Sequence, residues 1–302
     1  MLKPGDVLWD RYKILKQIGR GGMSSVFLAE DMTTAEMKAV KETYRTAGEA
    51  GTVYLRRLSH PGLPRVEKVM LLENGSIIIM EYVRGHSLQD MLARYGTQPY
   101  PVLLDWMIQL CVILSYLHSQ DPPIIYRDLK PSNVMIQPDG SLKLIDFGAA
   151  REYRDGENGD TVLLGTRGYA APEQYGGYGQ SDPRTDIYGL GATIYHLATG
   201  RDPSKPPYMR LPIHRCVKGI PEDFSLMIKK CTNLDADRRY DSCGILLEEL
   251  LALKKCLQGE KTYPEGITQN NDQKLRKGFR HINDRYIIET DITIVYTDLI
   301  LP

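Results

Sequence analysis

The chain has 302 residues, enough for one large domain or for two lobes and a tail. Its 38 Lys and Arg match 38 Asp and Glu, which leaves no charge-based case for nucleic acid or an anionic membrane surface as a partner. The five cysteines (Cys111, Cys216, Cys231, Cys243 and Cys256) are scattered, odd in number and without a CxxC pair, a usage that fits structural thiols in a reducing cytoplasm and argues against a disulfide framework or a cysteine metal site.

The start, Met1 to Asp6, lacks the apolar core of a signal peptide. Tyr12 to Ile18 alternates polar and apolar residues, as a half-buried strand does. Gly19-Arg20-Gly21-Gly22 then makes a flexible turn, and Ser25 to Ala29 reads as the returning strand. Glycines in such a turn let backbone amides approach phosphate oxygens with no Cβ in the way. In Lys38-Ala39-Val40-Lys41 the two lysines fall on opposite faces of a strand. Ser76 to Val83 is a continuous apolar run, the pattern of a central strand.

Pro101 to Ser119 reads as a long helix with an apolar stripe of Leu103, Leu104, Met107, Leu110, Cys111, Leu114 and Leu117. Its apolar run, Val102 to Leu117, is interrupted by Asp105 and Gln109 and falls short of the roughly 18 residues of a membrane helix. No membrane segment is expected, and the location expected is cytoplasmic. Next comes Ile125-Tyr126-Arg127-Asp128-Leu129-Lys130-Pro131-Ser132-Asn133, a hairpin turning at Pro138-Asp139-Gly140, and Asp146-Phe147-Gly148. This set suits phosphoryl transfer: one carboxylate to accept a hydroxyl proton, a lysine to neutralise charge on the moving phosphoryl group, and an Asn and a second carboxylate to hold a metal. A long polar loop follows Gly148, then an apolar helix from Asp186 that ends at Gly200, and last helices between Pro221 and Leu253. Beyond Gly259 the chain is polar and turn-rich, with a strand-like end from Arg285 to Leu301.

Taken in order over Tyr12 to Leu257, these motifs resemble those of eukaryotic-type (Hanks-type) serine/threonine protein kinases, in a bacterial-looking wording at Tyr126 and Ala170 to Tyr175. The resemblance implies an α+β, two-lobed protein kinase fold. Residues 1–11 would be a lead-in. A small antiparallel β-sheet lobe with a short helix would span about 12–83, a larger mainly helical lobe about 84–257, and a linker-like tail 258–302. It implies ATP and Mg²⁺ as cofactors. Ile18, Gly19, Gly21, Gly22, Val26 and Ala39 would line the nucleotide, and Lys41 would meet its α- and β-phosphates. Met80 would back the adenine pocket, with adenine held by the backbone of Glu81 and Val83. Asp128 would be the base, Lys130 would contact the γ-phosphate, and Asn133 and Asp146 would hold Mg²⁺. Thr166 would bond to Asp128 and Lys130, Glu173 would pair with Arg239, and Asp186 would hold the loop backbone. Lys130 and Thr166 are the serine/threonine features. Arg127 marks kinases switched on by a loop phosphate, for which Thr161 is the candidate. The partners implied are proteins carrying Ser or Thr, with self-association possible through the activation loop or the C-terminal tail.

One position departs from the pattern. The family's helix Glu falls on Gly51, and the nearest acid, Glu49, is two residues away, about 200° around a helix. Glu49 swings in from a shortened helix, another acid substitutes, or the lysine–glutamate pair is absent; we favour the first. The main rival reading is a pseudokinase-like nucleotide-binding scaffold, supported by Gly51. A small-molecule kinase is the second, opposed by the peptide-positioning segment from Thr166 to Glu173.

Overall fold

The computed structural model describes residues 1–22, 24–44, 54–153, 165–175, 180–206, 208 and 210–259. Glu49, Gly51, Thr161 and the strand-like end of the tail lie outside the described residues. The chain divides into two compact units, residues 1–85 with 143–145, and residues 86–142 with those from 146 onward.

The small unit is an antiparallel sheet of six strands: β1 (Val7–Leu8), β2 (Tyr12–Arg20), β3 (Ser24–Asp31), β4 (Glu36–Thr43), β5 (Val66–Leu72) and β6 (Gly75–Glu81). Their order across the sheet is β1-β2-β3-β4-β6-β5. Strand β1 lies within the residues read as a lead-in, yet it pairs with β2, Val7 opposite Lys13 and Leu8 opposite Tyr12. Leu2, Leu8 and Trp9 pack against the sheet's core of Tyr12, Ile14, Phe27, Ala29, Val40, Ile77 and Ile79. Of the short helix expected before His60, the described part is one 3-10 turn, Tyr54–Arg57.

Strand period decides which face each residue takes. Val26 stands opposite Lys41, and Leu28 opposite Ala39. Across the next ladder Lys41 faces Ile78, and Ala39 faces Met80. These six therefore share one face of the sheet, while Phe27, Val40 and Ile79 point into the core on the other.

The large unit is mainly helical: α1 (Leu88–Tyr95), α2 (Tyr100–His118), α3 (Pro183–Thr199), α4 (Ile213–Cys216), α5 (Glu222–Cys231) and α6 (Cys243–Leu257). Helix α2 starts on Tyr100-Pro101, a proline in the first turn, where its missing N–H costs nothing. By length and apolar composition α2 is long enough to cross a membrane, which the interrupted run did not suggest. Yet 61% of its apolar window is buried within the protein, as in the core helix of a globular domain. The two polar interruptions lie on its less buried side and have work there. Asp105 accepts from Lys254 of α6 at 2.8 Å and from Gln109 at 3.0 Å. Gln109 in turn accepts the Leu142 N–H at 2.9 Å, tying the helix to the hairpin after the loop. Strand β7 (His86–Ser87) pairs with β9 (Val134–Ile136), and β8 (Ile124–Ile125) with β10 (Arg151–Glu152). These short pairs set the two ends of the segment that carries Asp128.

Helix α3 is nearly all buried. Asp182 caps it by accepting the Arg184 N–H at 2.8 Å, and Gly200 ends it in the left-handed conformation at φ 68°.

Candidate active site

The loop after β8 is held by α3 through residues spaced at helical intervals, Asp186, Gly189 and Thr193, which share one face. The buried Asp186 carboxylate accepts the backbone N–H of Arg127 at 2.7 Å and of Tyr126 at 2.8 Å. A Cβ on Gly189 would stand 3.2 Å from Leu129 Cβ, so the loop approaches the helix where a side chain is missing. Thr193 Oγ1 donates to the Leu129 carbonyl at 3.1 Å. Arg127 sits at φ +66°, a left-handed conformation that costs a non-glycine residue on the order of 1–3 kcal/mol. Its surroundings hold it there: N–H on Asp186, carbonyl accepting Gln174 Nε2 at 2.8 Å, and side-chain Nε on the Ala149 carbonyl at 2.6 Å.

The turn this produces presents Asp128. Its Oδ1 accepts the Thr166 hydroxyl at 2.8 Å. Its Oδ2 accepts Lys130 Nζ at 2.8 Å and Asn133 Nδ2 at 2.9 Å. Lys130 also donates to Thr166 Oγ1 at 2.6 Å, closing a ring of three side chains. Among the described residues Oδ1 accepts that one bond, and a carboxylate oxygen has capacity for a second. Asp128 is thus oriented from three sides and still able to take a hydroxyl. Asn133 spends its amide nitrogen on the Asp128 carbonyl and carboxylate, which directs its oxygen away as a hard ligand. One oxygen of Asp146 accepts the Gly148 N–H at 2.9 Å. Tyr126, where the family has His, is fully buried with its ring edge-on to Phe147 at 5.3 Å.

Among the described residues no three His, Cys, Asp or Glu side chains gather as a metal cluster. An amide oxygen and a carboxylate suit a hard cation that keeps water and phosphate oxygens for its other positions, which is the habit of Mg²⁺. The donor set at Asn133 and Asp146 fits that ion.

The other expected residues belong to the small unit. Val26, Ala39, Lys41 and Met80 share the sheet face described above; Ala39 and Lys41 are buried, and Val26 and Met80 half-buried. Gly19 lies within β2, opposite Val26, so the glycine turn is tighter than expected and closes with Gly21 N–H on the Ser24 carbonyl at 2.7 Å. Gly21, Gly22 and Ile18 are exposed. The Glu81 N–H is committed to the Arg65 carbonyl at 2.9 Å, and its carboxylate accepts Lys143 Nζ at 2.7 and 2.8 Å. The Glu81 N–H is therefore not left over for a ligand edge. Val83 is buried.

A family profile described as protein kinase domain matches residues 12–251. The chain belongs to the protein kinase family. This kinase domain is 34% identical over 271 residues to the serine/threonine-protein kinase PknB of Mycobacterium tuberculosis, covering 81% of this chain and 43% of that one. It is 30% identical over 273 residues to a probable serine/threonine-protein kinase of Clostridium perfringens, covering 83% and 39%. A probable serine/threonine-protein kinase of Corynebacterium efficiens is 35% identical over 218 residues, covering 65% and 32%. The kinase domain thus spans less than half the length of these curated relatives.

Two supporting residues were missed in the sequence. His118 Nε2 lies 2.8 Å from Asp186 Oδ2, at the end of the apolar helix α2. Gln174 joins the Arg127 carbonyl to the Ala171 N–H. A polar residue ending an apolar helix was the signal available for the first; for the second there was none beyond its place after Glu173.

Proposed function

We propose that the chain is a serine/threonine protein kinase that transfers the γ-phosphoryl group of ATP to Ser and Thr hydroxyls of proteins. The observation that carries this is the ring of Asp128, Lys130 and Thr166, with Asn133 behind it. The substrate hydroxyl takes the remaining acceptor site on Asp128 Oδ1 and is aimed by it. Its oxygen forms the new bond to γ-phosphorus, the bond from γ-phosphorus to the β–γ bridging oxygen breaks, and ADP leaves. The hydroxyl proton passes to Asp128. Lys130 places its positive charge beside the transferring group. Asn133 and Asp146 would hold Mg²⁺, which would offset charge on the phosphate oxygens. Lys41 would meet the α- and β-phosphates, with the glycine turn from Gly19 to Gly22 over them. Ile18, Val26, Ala39 and Met80 would line adenine, and the backbone of Glu81 and Val83 would bond its edge. Thr166, beside the acceptor site, supports Ser/Thr over Tyr as substrate. A cytoplasmic location, phosphorylation of Thr161 and self-association belong to the same proposal; composition, and Arg127 beside the base, support them.

Label transfer from radiolabelled ATP–Mg²⁺ to a generic basic protein tests the reading, with Asp128→Asn as control. Label on Ser or Thr that disappears in the control is expected. Bound nucleotide with no transfer would replace the reading by the nucleotide-binding scaffold.

A further inference from the structure

Immediately after Thr166 the chain runs along a cavity of about 940 Å³ in the large unit. Its lining includes Arg167, Tyr188, Tyr208, Arg210, Ile228 and Lys229, and among the described residues no Asp or Glu. In a chain of zero net charge this is a local excess of three cations. Arg167 and Lys229 are exposed, and neither forms an ion pair among the described residues. Two of the three cations are aimed by aromatic rings. The Arg167 guanidinium lies 5.0 Å over the Tyr208 ring, and that of Arg210 5.0 Å over Tyr188. Arg210 is fixed further by donating Nη2 to the Gly168 carbonyl at 2.6 Å and Nη1 to the Tyr188 hydroxyl at 3.1 Å. Tyr208 itself is 56% exposed, an aromatic surface left open beside a stacked cation.

We propose that this cavity receives a carboxylate side chain, Asp or Glu, next to an apolar residue in the protein substrate, and so sets which Ser or Thr is chosen. Charge complementarity selects the occupant: cations without anions at the rim, apolar and aromatic walls below. A carboxylate fits better than a phosphate. Two of the Arg210 nitrogens are already spent on Gly168 and Tyr188, and Lys229 is a single point charge, so few convergent donors remain for three phosphate oxygens. Since Arg167 adjoins Thr166, and Thr166 bonds to Asp128, the bound carboxylate lies near the hydroxyl that reacts. The inference deepens the kinase reading and rests on it for the word substrate, but binding itself can be read without any transfer.

The test uses the full chain and fluorescent Ser-containing peptides that are identical except for Asp, Ala, Lys or phosphoserine at each flanking position. Anisotropy measures binding, and label transfer measures kcat/KM. At one or more positions near the acceptor the Asp peptide is expected to bind roughly three- to tenfold more tightly than the Ala peptide, as suits a few exposed charge contacts. Arg167→Glu with Lys229→Glu is expected to reverse the order in favour of the Lys peptide. Equal binding of the Asp, Ala and Lys peptides, or a preference for Asp that survives the double reversal, overturns the proposal. A phosphoserine peptide that binds tighter than Asp overturns the choice of carboxylate. If peptides bind with the expected order and no label is transferred, the kinase reading fails and the cavity assignment stands.

Discussion

The Thr166 hydroxyl donates to Asp128 Oδ1 at 2.8 Å while accepting from Lys130 at 2.6 Å. Among the described residues it is the one side-chain group that bonds to both the Asp128 carboxylate and the Lys130 ammonium. Removing it leaves Asp128 Oδ1 without its donor, the carboxylate held only through Oδ2, and Lys130 drawn wholly to that carboxylate. Thr166→Ala is expected to lower kcat by roughly 100-fold, the scale of losing a positioning contact at the reacting atoms. Thr166→Ser keeps the hydroxyl and should stay within a few-fold of the parent. Steady-state kinetics on one peptide checks this, and a thermal melt should show little change for either variant, because the hydroxyl lies in a half-exposed ring. An unaltered kcat for Thr166→Ala would remove Thr166 from the site.

His118 and Asp186 give a pH dependence with a defined sign. Burial works most strongly against the charged imidazole, but Asp186 and Cys243 together outweigh it and hold the His118 pKa up at about 10. A pKa raised on folding stabilises fully below the unfolded value of about 6.5. That contribution is lost as pH rises toward 10. Urea midpoints should therefore fall between about pH 7 and 10 by more in the parent than in His118→Gln. Parallel pH profiles for the two proteins would show that His118 is neutral in the fold. Asp186→Asn should be the more damaging change, because the carboxylate also carries the Tyr126 and Arg127 amides. It keeps an acceptor for one of them, offers an unwanted donor to the other, and releases the left-handed turn at Arg127.

Much of this was legible in the sequence, for a physical reason. Asp128, Lys130 and Asn133 act within one tight loop, so their spacing in sequence is nearly their spacing in space. The faces of β3, β4 and β6 follow from a strict two-residue period, which places Val26, Ala39, Lys41 and Met80 together. What escaped notice depends on long-range packing. His118 meets Asp186 across 68 positions, and no local pattern reports such a contact. Strand β1, inside the expected lead-in, is only two residues long, too short for alternation to show. Helix α2 looked interrupted because Asp105 and Gln109 face partners, Lys254 and Leu142, that come much later in the chain.

Glu173 and Arg239 form a bidentate pair at 2.6 and 2.8 Å, with the Arg239 side chain 0% exposed and that of Glu173 12%. Burial pushes the Glu173 carboxyl up, but Arg239 overrides it and the net shift is downward. The stabilisation is therefore present at neutral pH and lost as pH falls through the folded-state value. Arg239→Ala strands a buried carboxylate and should cost about 3–5 kcal/mol. The double variant Glu173→Gln, Arg239→Met removes both charges and should cost clearly less. Denaturant melts of the three proteins separate a stranded charge from lost packing: equal losses in both variants would mean that packing, not charge, holds this corner.

Two glycines at nearly the same backbone angle separate conformational strain from crowding. Gly168 has φ +86° and Gly219 φ +85°. A Cβ on Gly219 would meet nothing within 4 Å, whereas on Gly168 it would stand 2.4 Å from both the carbonyl carbon and the oxygen of Pro203. Gly219→Ala should lose only the price of a left-handed alanine, about 1–2 kcal/mol. Gly168→Ala adds a clash with backbone that has no rotamer to yield, and should lose about 2–5 kcal/mol in all. Its carbonyl is also the acceptor for Arg210, so a displaced residue 168 should disturb the acidic-peptide preference at the same time. Comparison of the two melts, with peptide binding measured on each variant, checks both parts. A Gly168→Ala variant as stable as Gly219→Ala would mean that Pro203 moves aside freely and that this segment is not pinned from below.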